Sequence, residues 1–407
     1  MVEPTSSLRI FVVGAGIGGL AAAVALRRQG HHVEVFESSL MNREIGAAIT
    51  VQANAMKVLD FLGYEVANLK GVDFLGTVRF DATGGEGITR EFNYENLGRA
   101  GWHCLRSDLH DELKRLALST DGAGRPVILH LGREVVSCNA DEGSVVLRSG
   151  EIQQADLIVG ADGIHSVVRT AVLGYEQKAL ATGLSTFRCL FDADKLKSLD
   201  DMDWYTQGLS GGRAVLAPGE RFRLLFLIPC RHGKVVNVAA HHVDDRNQDQ
   251  HEWSEKATMD DVLTEFSGFH PRYLKFLEQG QQPILRWQLR ALPVLPTWIR
   301  GKALLLGDAA HATLPTIGQG AGMALEDAAT IALLLPQGSK VADIPERLKA
   351  YQELRKPRGE FVNRESLEQA TMPSRRGFYE RSREQQLFLI GFDVIESTKK
   401  YYQDNFF

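Results

Sequence analysis

The sequence predicts an α/β protein: a Rossmann-type domain, an inserted antiparallel β-sheet domain and a helical carboxyl-terminal region. Three observations predict this fold class. A glycine-rich turn joins a short apolar strand to an alanine-rich helix near the amino terminus. Short alternating strands fill the chain from about residue 184 to residue 290. A buried-strand pattern then returns at residues 302–306, and a glycine-rich turn and a charged, helical tail follow it.

The first unit consists of a strand, a helix and a second strand. Leu8–Gly14 is apolar and β-branched, which is typical of a buried parallel strand. Gly18–Gly30 is rich in alanine and leucine at helical spacing, and its final glycine is expected to end the helix. Val33–Glu37 provides the second strand. These segments together predict a βαβ unit.

The turn inside this unit has the spacing G-x-G-x-x-G. Gly14 permits a tight turn, Gly16 lets the backbone approach a pyrophosphate, and Gly18 and Gly19 open the helix that packs closely on the strand. The first helical amides then point at the phosphates. Glu37 ends the second strand, where it can accept hydrogen bonds from a ribose. Because strand, glycines, helix and acid stand in register, the unit predicts a dinucleotide site.

Helices and strands alternate through the next hundred residues. Helices are predicted at Ala53–Leu62 and Ser107–Leu118, the second with Ser107 or Asp108 placed to cap it. Residues 74–92 are expected to form a β-excursion. Further strands are predicted at Val127–Leu131, Glu134–Cys138, Val145–Leu147 and Asp156–Gly160.

In the middle of the chain the predicted secondary structure changes from βαβ units to successive short strands, which are typical of an antiparallel sheet. Strands are predicted at Val215–Ala217, Arg223–Ile228, Val235–Ala240, Ile284–Leu289 and, after the sheet, Lys302–Leu306, with a helix at Met323–Leu335. We therefore expect a discontinuous nucleotide-binding domain made of residues 1–75, 100–183 and 291–360. A β-sheet domain would comprise residues 76–99 and 184–290, and a helical segment residues 361–407.

Composition excludes several classes of protein. The 407 residues are 44% hydrophobic and 24% charged, which is too apolar for a disordered chain and too polar for a membrane protein. With 46 basic and 51 acidic residues the net charge is −5, and no basic stripe is present, so nucleic acid is not an expected partner. No C-x-x-C pair occurs among the four cysteines, so no metal site is predicted. Reduced, widely spaced cysteines favour a cytoplasmic protein.

Three further motifs leave a structural alternative open. Asp162-Gly163 joins a strand to a helix, and Ser166 behind it could be an ordinary cap. Gly307-Asp308 has the same shape, and His311 beyond it could be a base but is more often a packing residue. Residues 208–212 match G-x-S-x-G formally, but they lack the strand–turn–helix context of a hydrolase nucleophile, which favours a surface loop.

Taken together, the glycine fingerprint, the Asp-Gly segment and the Gly-Asp segment resemble the single-component FAD-dependent aromatic monooxygenases typified by para-hydroxybenzoate hydroxylase and salicylate hydroxylase. The three motifs stand in the family's order over residues of about 8 to 335. The resemblance makes the Rossmann-type domain an FAD-binding domain and the inserted sheet a substrate domain. It implies that the residues contacting FAD are Gly14, Gly16, Gly18, Gly19, Glu37, Ala48, Arg106, Asp162, Asp308, Gly320, Ala321 and Gly322.

The family resemblance also implies which part of FAD each of these residues contacts. Glu37 would bind the ribose of the ADP half, and Asp162 would serve the pyrophosphate region and NAD(P)H. Asp308 would bind the ribityl chain, with the loop Gly320–Gly322 under the isoalloxazine. No second G-x-G-x-x-G occurs, so NAD(P)H is expected as a transient reductant without a domain of its own.

On the substrate side, Arg188 stands among apolar residues on the first strand of the middle domain. By itself this pattern fits an arginine that pairs with an acid at a sheet edge. The resemblance implies instead that Arg188 is catalytic and either holds an anionic or developing oxyanion of the substrate or donates a proton. Trp204, Tyr205, His241 and His242 are further pocket candidates, although core or surface positions are more usual for each.

The expected activity follows from the same resemblance. NAD(P)H would reduce FAD, and O₂ would add to it as a flavin C4a-hydroperoxide. That species would hydroxylate or epoxidise an aromatic or heteroaromatic small molecule in secondary metabolism or aromatic catabolism. The alternative is an FAD-dependent reductase or dehydrogenase without oxygen insertion. Oxygen consumption matched to product separates the two.

Overall fold

A computed structural model describes residues 6–40, 47–92, 97–219, 221–246, 254–372 and 383–407. The elements of its first half are β1 (Arg9–Val13), α1 (Ile17–Arg28), β2 (His32–Glu37), β3 (Ala48–Val51), α2 (Ala53–Leu62), α3 (Val66–Leu69), β4 (Val72–Phe74), β5 (Gly76–Asp81), β6 (Gly84–Glu91), β7 (Gly101–Leu105), α4 (Arg106–Leu118), β8 (Ile128–Leu131), β9 (Val135–Asn139), β10 (Ser144–Leu147), β11 (Ile152–Gln154), β12 (Leu157–Gly160) and α5 (Val167–Leu173).

The second half contains a longer run of strands before the final helices. Its elements are β13 (Leu180–Asp192), α6 (Asp203–Thr206), β14 (Gly212–Leu216), β15 (Arg223–Cys230), β16 (Val235–Val243), β17 (Ser254–Ala257), α7 (Met259–Glu265), α8 (Pro271–Leu277), β18 (Gln281–Ala291), β19 (Ile299–Arg300), β20 (Ala303–Leu305), α9 (Asp308–His311), α10 (Gly320–Leu334), α11 (Ile344–Thr371), α12 (Arg383–Ile390) and α13 (Val394–Phe406). Among the described helices, none is long and apolar enough to cross a membrane.

A six-stranded sheet with the order β19-β20-β12-β1-β2-β8 forms the centre of the nucleotide-binding half. Strand β1 pairs in parallel with β2 and β12, as the βαβ prediction requires. Its residues Ile10–Val12 are fully buried because helices cover both faces of a parallel sheet. Helix α1 packs against α10 and α4. The predicted α/β class with a Rossmann-type domain is confirmed.

An eight-stranded sheet with the order β17-β18-β13-β16-β15-β14-β5-β6 forms the second half. Most neighbours pair antiparallel, as predicted, but β14 pairs with β5 in parallel. The early β-excursion therefore joins this sheet through β5 and β6. One face of the sheet packs on α7 and α8 around Phe187, Phe266 and Phe276. Its other face turns toward the nucleotide-binding half, as the site geometry below shows.

Two predicted helix starts near the site are wrong, and four strands of the large sheet begin or end up to three residues outside their predicted bounds. Helix α4 begins at Arg106 directly after β7, so neither Ser107 nor Asp108 caps it. The Asp108 carboxylate instead accepts hydrogen bonds of 3.0 and 2.9 Å from the Arg231 guanidinium. Helix α10 begins at Gly320 rather than Met323, so residues 320–322 form its first turn and not a loop. Asp108 is held by Arg231, which is far along the chain, and α10 accommodates two glycines in its first turn. Local sequence therefore did not predict either helix start.

Candidate active site

The glycine turn lies where β1 meets α1. Gly14 has φ +100° and donates its N–H to the carbonyl oxygen of Phe36 at 2.8 Å. A Cβ at Gly14 would overlap the backbone of Ala161, and one at Gly19 would overlap the carbonyl oxygen of Gly14. A Cβ at Gly18 would come within 2.8 Å of Leu306. These glycines are therefore required by close backbone and helix packing.

Gly16 differs from the other glycines in this turn. A Cβ on it would meet no atom of the described chain within 4 Å, so this side of the turn is open. Gly16 is also the N-cap of α1, and no side chain caps the helix there. Open space in front of uncapped helical amides is the geometry that binds a phosphate group.

Glu37 lies at the end of β2 and holds the turn in place. Its Oε2 accepts a hydrogen bond from the Ala15 N–H at 2.8 Å, and its Oε1 accepts one from the Ser39 N–H at 2.8 Å. The carboxylate thus stands beside the glycine turn, as predicted. Oε1 also accepts from the Ser38 hydroxyl at 3.3 Å, so Oε2 is the oxygen that keeps a second lone pair for a ribose hydroxyl.

Asp162 follows β12 and turns its carboxylate toward α5. It accepts hydrogen bonds from the hydroxyl of Ser166 and from the amides of Val167 and Val168 at 2.8 and 3.1 Å. Burial raises the pKa of Asp162, although these hydrogen bonds act against the rise. Ser166 in turn caps α5 by accepting from the Arg169 N–H, so the structural alternative for this serine is confirmed. The backbone of Ala161 and Asp162 lies so close to Gly14 that a Cβ there would come within 3.0 Å of Asp162 Cα.

Asp308 presents an exposed carboxylate at the start of α9. It makes no hydrogen bond or ion pair within the described residues. Gly307 before it has φ +59°, which places the turn in a conformation that favours glycine. His311 at the end of α9 is buried, and its Nε2 lies 2.7 Å from Asp327 Oδ2. A histidine held in this way has a structural role, which was the favoured alternative.

Gly16, Asp162 and Asp308 follow the carboxyl ends of β1, β12 and β20, which pair in parallel, so they lie along one edge of the sheet, which we call the groove.

The first turn of α10 lies beside this edge, because Ala324 in the same helix is next to Gly18 and Gly307. Gly320, Ala321 and Gly322 lie there, no acidic residue occupies the turn, and no side chain caps it. The N-cap residue Gln319 is buried and is held by Asn54, whose Nδ2 donates to Gln319 Oε1 at 3.0 Å. The uncapped amides carry the positive end of the helix dipole, so this turn stabilises negative charge placed before it.

The eight-stranded sheet turns one face toward this groove, and strand register identifies that face. Across β13 and β16, Arg188 opposes Ala239 and Thr186 opposes His241, so these four side chains share one face. Asn237 lies on the same face, and its Oδ1 accepts a hydrogen bond from the Ala48 N–H at 3.0 Å. Ala48 belongs to β3 of the nucleotide-binding half. The face that carries Arg188 therefore covers the groove.

Arg188 is a positive charge that no described carboxylate pairs. Burial, and then the charge of Arg106, lowers the pKa of Arg188 to about 10. The guanidinium therefore stays charged at neutral pH, close to a second cation. Arg106 begins α4, and its N–H donates to the carbonyl oxygen of Ala47 at 2.8 Å. The sheet-edge ion pair considered for Arg188 is not formed by any residue in the described ranges.

His241 is the pocket candidate that the geometry favours. Burial, followed by the charges of Arg188 and His242, lowers its pKa to about 3, so its imidazole is neutral. Its Nδ1 is buried without a hydrogen-bond partner among the described residues. His242 points to the opposite face and stacks on Phe187 at 4.4 Å. In β16 the core residues alternate as Val236, Val238 and Ala240, so His241 falls on the opposite face of the strand. This alternation was the one sequence signal that pointed to His241.

The remaining candidates lie away from the groove. Trp204 and Tyr205 pack against the core on the opposite face of the sheet, as the usual alternative predicted. Ser210 follows a bend, and its hydroxyl donates to the carbonyl oxygen of Asp73 at 2.8 Å. The G-x-S-x-G match is therefore a loop before β14 and not a nucleophile elbow.

The family of proteins described as "FAD binding domain" matches residues 7–366 of this chain. The chain belongs to this FAD-binding family. It is 42% identical to hispidin-3-hydroxylase of Neonothopanus nambi over 98% of this chain and 97% of that protein. It is 30% identical to a salicylate hydroxylase of Pseudomonas putida over 89% and 84% of the two chains. A salicylate hydroxylase substrate complex superposes with a TM-score of 0.76 at 25% identity over 97% and 98% of the chains.

The chain is thus an FAD-dependent monooxygenase, and its groove fits FAD. The open side of Gly16 and the uncapped start of α1 suit the pyrophosphate. The exposed carboxylate of Asp308 suits a ribityl hydroxyl, and the first turn of α10 suits the electron-rich end of the isoalloxazine.

The contact between Asn237 and Ala48 gives a first testable prediction for this monooxygenase. Asn237→Ala leaves the half-buried Ala48 N–H without its acceptor, which should reduce the free energy of unfolding by about 1 kcal/mol. Urea denaturation of the holoenzyme measures this loss. Asn405→Ala, which removes an exposed hydrogen bond near the carboxyl terminus, should change the same quantity by less than about 0.5 kcal/mol. Equal effects of the two variants would contradict the bridging role of Asn237.

Proposed function

We propose that this FAD-dependent monooxygenase uses NAD(P)H and O₂ to hydroxylate a phenolic or otherwise oxygen-bearing aromatic small molecule. The proposal rests mainly on Arg188, which lies on the sheet face that covers the cofactor groove. Its guanidinium has no carboxylate partner in the described part of the chain. The printed names of two relatives support the substrate class, since one is a hispidin 3-hydroxylase and another a salicylate hydroxylase. Epoxidation of a ring or double bond is the second outcome that the same groove permits.

Under this proposal the cofactor contacts divide along the groove. The ADP half would lie against the glycine turn and Glu37, and the flavin half against Asp308 and the start of α10. The full set of proposed contacts is Gly14, Gly16, Gly18, Gly19, Glu37, Ala48, Arg106, Asp162, Asp308, Gly320, Ala321 and Gly322. Asp162 would act mainly through its backbone, because its carboxylate is taken up by α5.

Bound FAD supplies the electron transfer and the oxygen activation. The protein contributes orientation, exclusion of water and fixed charge. The sheet face that includes Thr186, Ala239 and Phe226 covers the groove, which keeps water from the reacting atoms. With FAD bound, the amides of residues 320–322 would stabilise negative charge on the isoalloxazine.

Arg188 and His241 then act on the substrate from the sheet. The guanidinium of Arg188 holds a substrate oxyanion through its planar set of N–H donors. An aromatic ring whose oxygen is anionic is richer in electrons and accepts an electrophilic oxygen more readily. The neutral imidazole of His241 adds a hydrogen-bonding group without adding a further positive charge to those of Arg188 and Arg106. The pair thus orients the substrate and promotes the reacting form.

Cysteine chemistry supports the further proposal that the enzyme works in the cytoplasm. Cys104, Cys138, Cys189 and Cys230 are all free, and three of them are buried. Burial raises the pKa of the Cys230 thiol to about 12, so this thiol stays protonated and unreactive. Unpaired, buried thiols are typical of proteins from reducing compartments.

The purified holoenzyme provides the direct test of the proposed function. We expect a yellow protein whose NAD(P)H oxidation and oxygen uptake both match hydroxylated product in a 1:1 ratio when a suitable phenol is present. Phenols, matched aromatic rings without an oxygen substituent, and non-aromatic acids would be compared by oxygen electrode and mass spectrometry. Product formation without oxygen uptake would establish a dehydrogenase instead. A protein that takes up no FAD would contradict the proposal entirely.

A further inference from the structure

Four charged side chains are enclosed behind the flavin-facing groove, between α10 and α11. Glu326 and Asp327 are each 0% exposed, Arg355 is 1% exposed and Arg358 is 4% exposed. The two negative and two positive charges balance. Ion pairs join Arg355 to both acids at 2.8 Å and Arg358 to Glu326 at 2.6 Å. Enclosed charges are costly unless each is paired, so this quartet must keep one arrangement.

Asp327 connects the quartet to the segment that carries Asp308. Its Oδ2 accepts a hydrogen bond from the Gly307 N–H at 3.0 Å and lies 2.7 Å from His311 Nε2. One carboxylate oxygen therefore holds both ends of the five-residue segment 307–311. Asp308 lies within that segment and points outward with an unpaired carboxylate, as far as the described residues show.

Glu326, the adjacent residue, connects the quartet to the turn before α10. Its Oε1 accepts a hydrogen bond from Asn54 Nδ2 at 2.6 Å, and the same Nδ2 lies 3.0 Å from Gln319 Oε1. Gln319 Nε2 donates to Gln52 Oε1 at 2.7 Å, and Gln52 Nε2 donates to the carbonyl oxygen of Ile317 at 3.0 Å. This chain of hydrogen bonds fixes the position of the first amides of α10.

The arginines connect the quartet to the carboxyl-terminal helices. Arg355 and Arg358 lie one turn apart on α11. The Arg358 guanidinium also donates to the carbonyl oxygens of Phe388 and Leu389 in α12, the second at 2.8 Å. Burial raises the pKa of Glu326, but the charges of Arg358 and Arg355 outweigh it and keep this pKa below its ordinary value. The acid therefore remains ionised in the interior.

We propose that Glu326 and Asp327 are positioning residues for the flavin, which transmit the packing of α11 and α12 to the two cofactor-facing segments. Asp327 sets the segment of Asp308, and Glu326 sets the first turn of α10. The two acids act through other residues and do not touch the cofactor. This inference rests on FAD binding by the chain and not on the identity of the substrate, so failure of the phenol test would leave it standing.

Asp327→Asn tests the first connection, because it keeps the shape and removes the charge. We expect the FAD dissociation constant, measured by flavin fluorescence on the full chain, to rise by about 10- to 100-fold, as when outer-shell partners of a bound metal are removed. The reduction potential of the bound flavin should also shift, because the segment of Asp308 no longer holds its place. Both readouts are independent of turnover.

Asn54→Ala tests the second connection without leaving a buried charge unpaired, so folding is a smaller risk. It should weaken FAD binding in the same direction and leave Asp327 and His311 in contact. The matched control is Phe276→Leu, a cavity variant in the core on the far face of the eight-stranded sheet. It should lower the melting temperature while the FAD dissociation constant stays within about 3-fold.

Two outcomes would overturn the proposal. In the first, Asn54→Ala has the same FAD dissociation constant and flavin reduction potential as the unaltered chain, and Asp327→Asn either also shows no change or does not fold. The other is an equal change in Phe276→Leu at a matched loss of melting temperature, which would show that FAD binding follows global stability alone.

Discussion

Gly19→Ala is expected to produce a protein almost devoid of FAD. A Cβ at this position would overlap the carbonyl oxygen of Gly14 and come within 3.2 Å of Ala161 Cβ. Backbone cannot rotate away as a flexible side chain does, so α1 must shift from β1 and the glycine turn must open. Overpacking of this kind costs about 1–3 kcal/mol or more, which corresponds to roughly 100-fold weaker binding at its upper end. Visible flavin absorbance per protein, followed by FAD titration, measures the loss.

Two other glycines distinguish packing from ligand contact in this experiment. Gly16→Ala should lower the melting temperature of the apoprotein only slightly, because no described atom lies near its Cβ and only the N-cap preference for glycine is lost, but it should still weaken FAD binding. Gly268→Ala, where the nearest atoms belong to the Arg223 side chain at 3.8 Å, should change neither property. If Gly16→Ala binds FAD as tightly as the unaltered chain, the pyrophosphate does not lie against this turn.

Arg188→Met should retain FAD and lose coupled hydroxylation by about 100- to 1,000-fold, the loss typical when one donor to a developing anion is removed. The methionine keeps the volume of the side-chain stem but removes the charge that faces the groove. Arg188→Lys should recover only part of the rate, because an ammonium group lacks the planar set of donors. Hydroxylated product per NAD(P)H, together with hydrogen peroxide formed in its place, measures the coupling.

The neighbouring strand provides a matched arginine for comparison. Arg286 opposes Phe187 across β13 and β18, and its guanidinium lies 4.7 Å from the Phe187 ring. It therefore stands on the opposite face of the same sheet. Arg286→Met should lower the free energy of unfolding and keep product formation coupled to NAD(P)H. Equal coupling in Arg188→Met and Arg286→Met would remove Arg188 from the active site.

Local patterns in the sequence were sufficient for the nucleotide-binding unit. The succession of apolar strand, glycine turn and alanine-rich helix predicted β1, α1 and β2. Each of these elements begins and ends within two residues of its predicted bounds. Such elements are predictable because each depends on neighbours within about 30 residues. The start of α10 was missed because Gly320 and Gly322 disfavour a helix locally, whereas Gln319 and Asn54 hold that helix in place.

The sequence by itself determined the fold class, the glycine turn with its acid, and the family to which the motifs belong. The tertiary structure alone decided what surrounds each charged group. Strand register turned Arg188 and His241 toward the groove, and the pairing of Asn237 with Ala48 spans 189 residues of chain. Likewise Asp327 reaches Gly307 and Arg355 from different directions. Burial and hydrogen-bond partners depend on contacts between distant segments, so no local pattern encodes them.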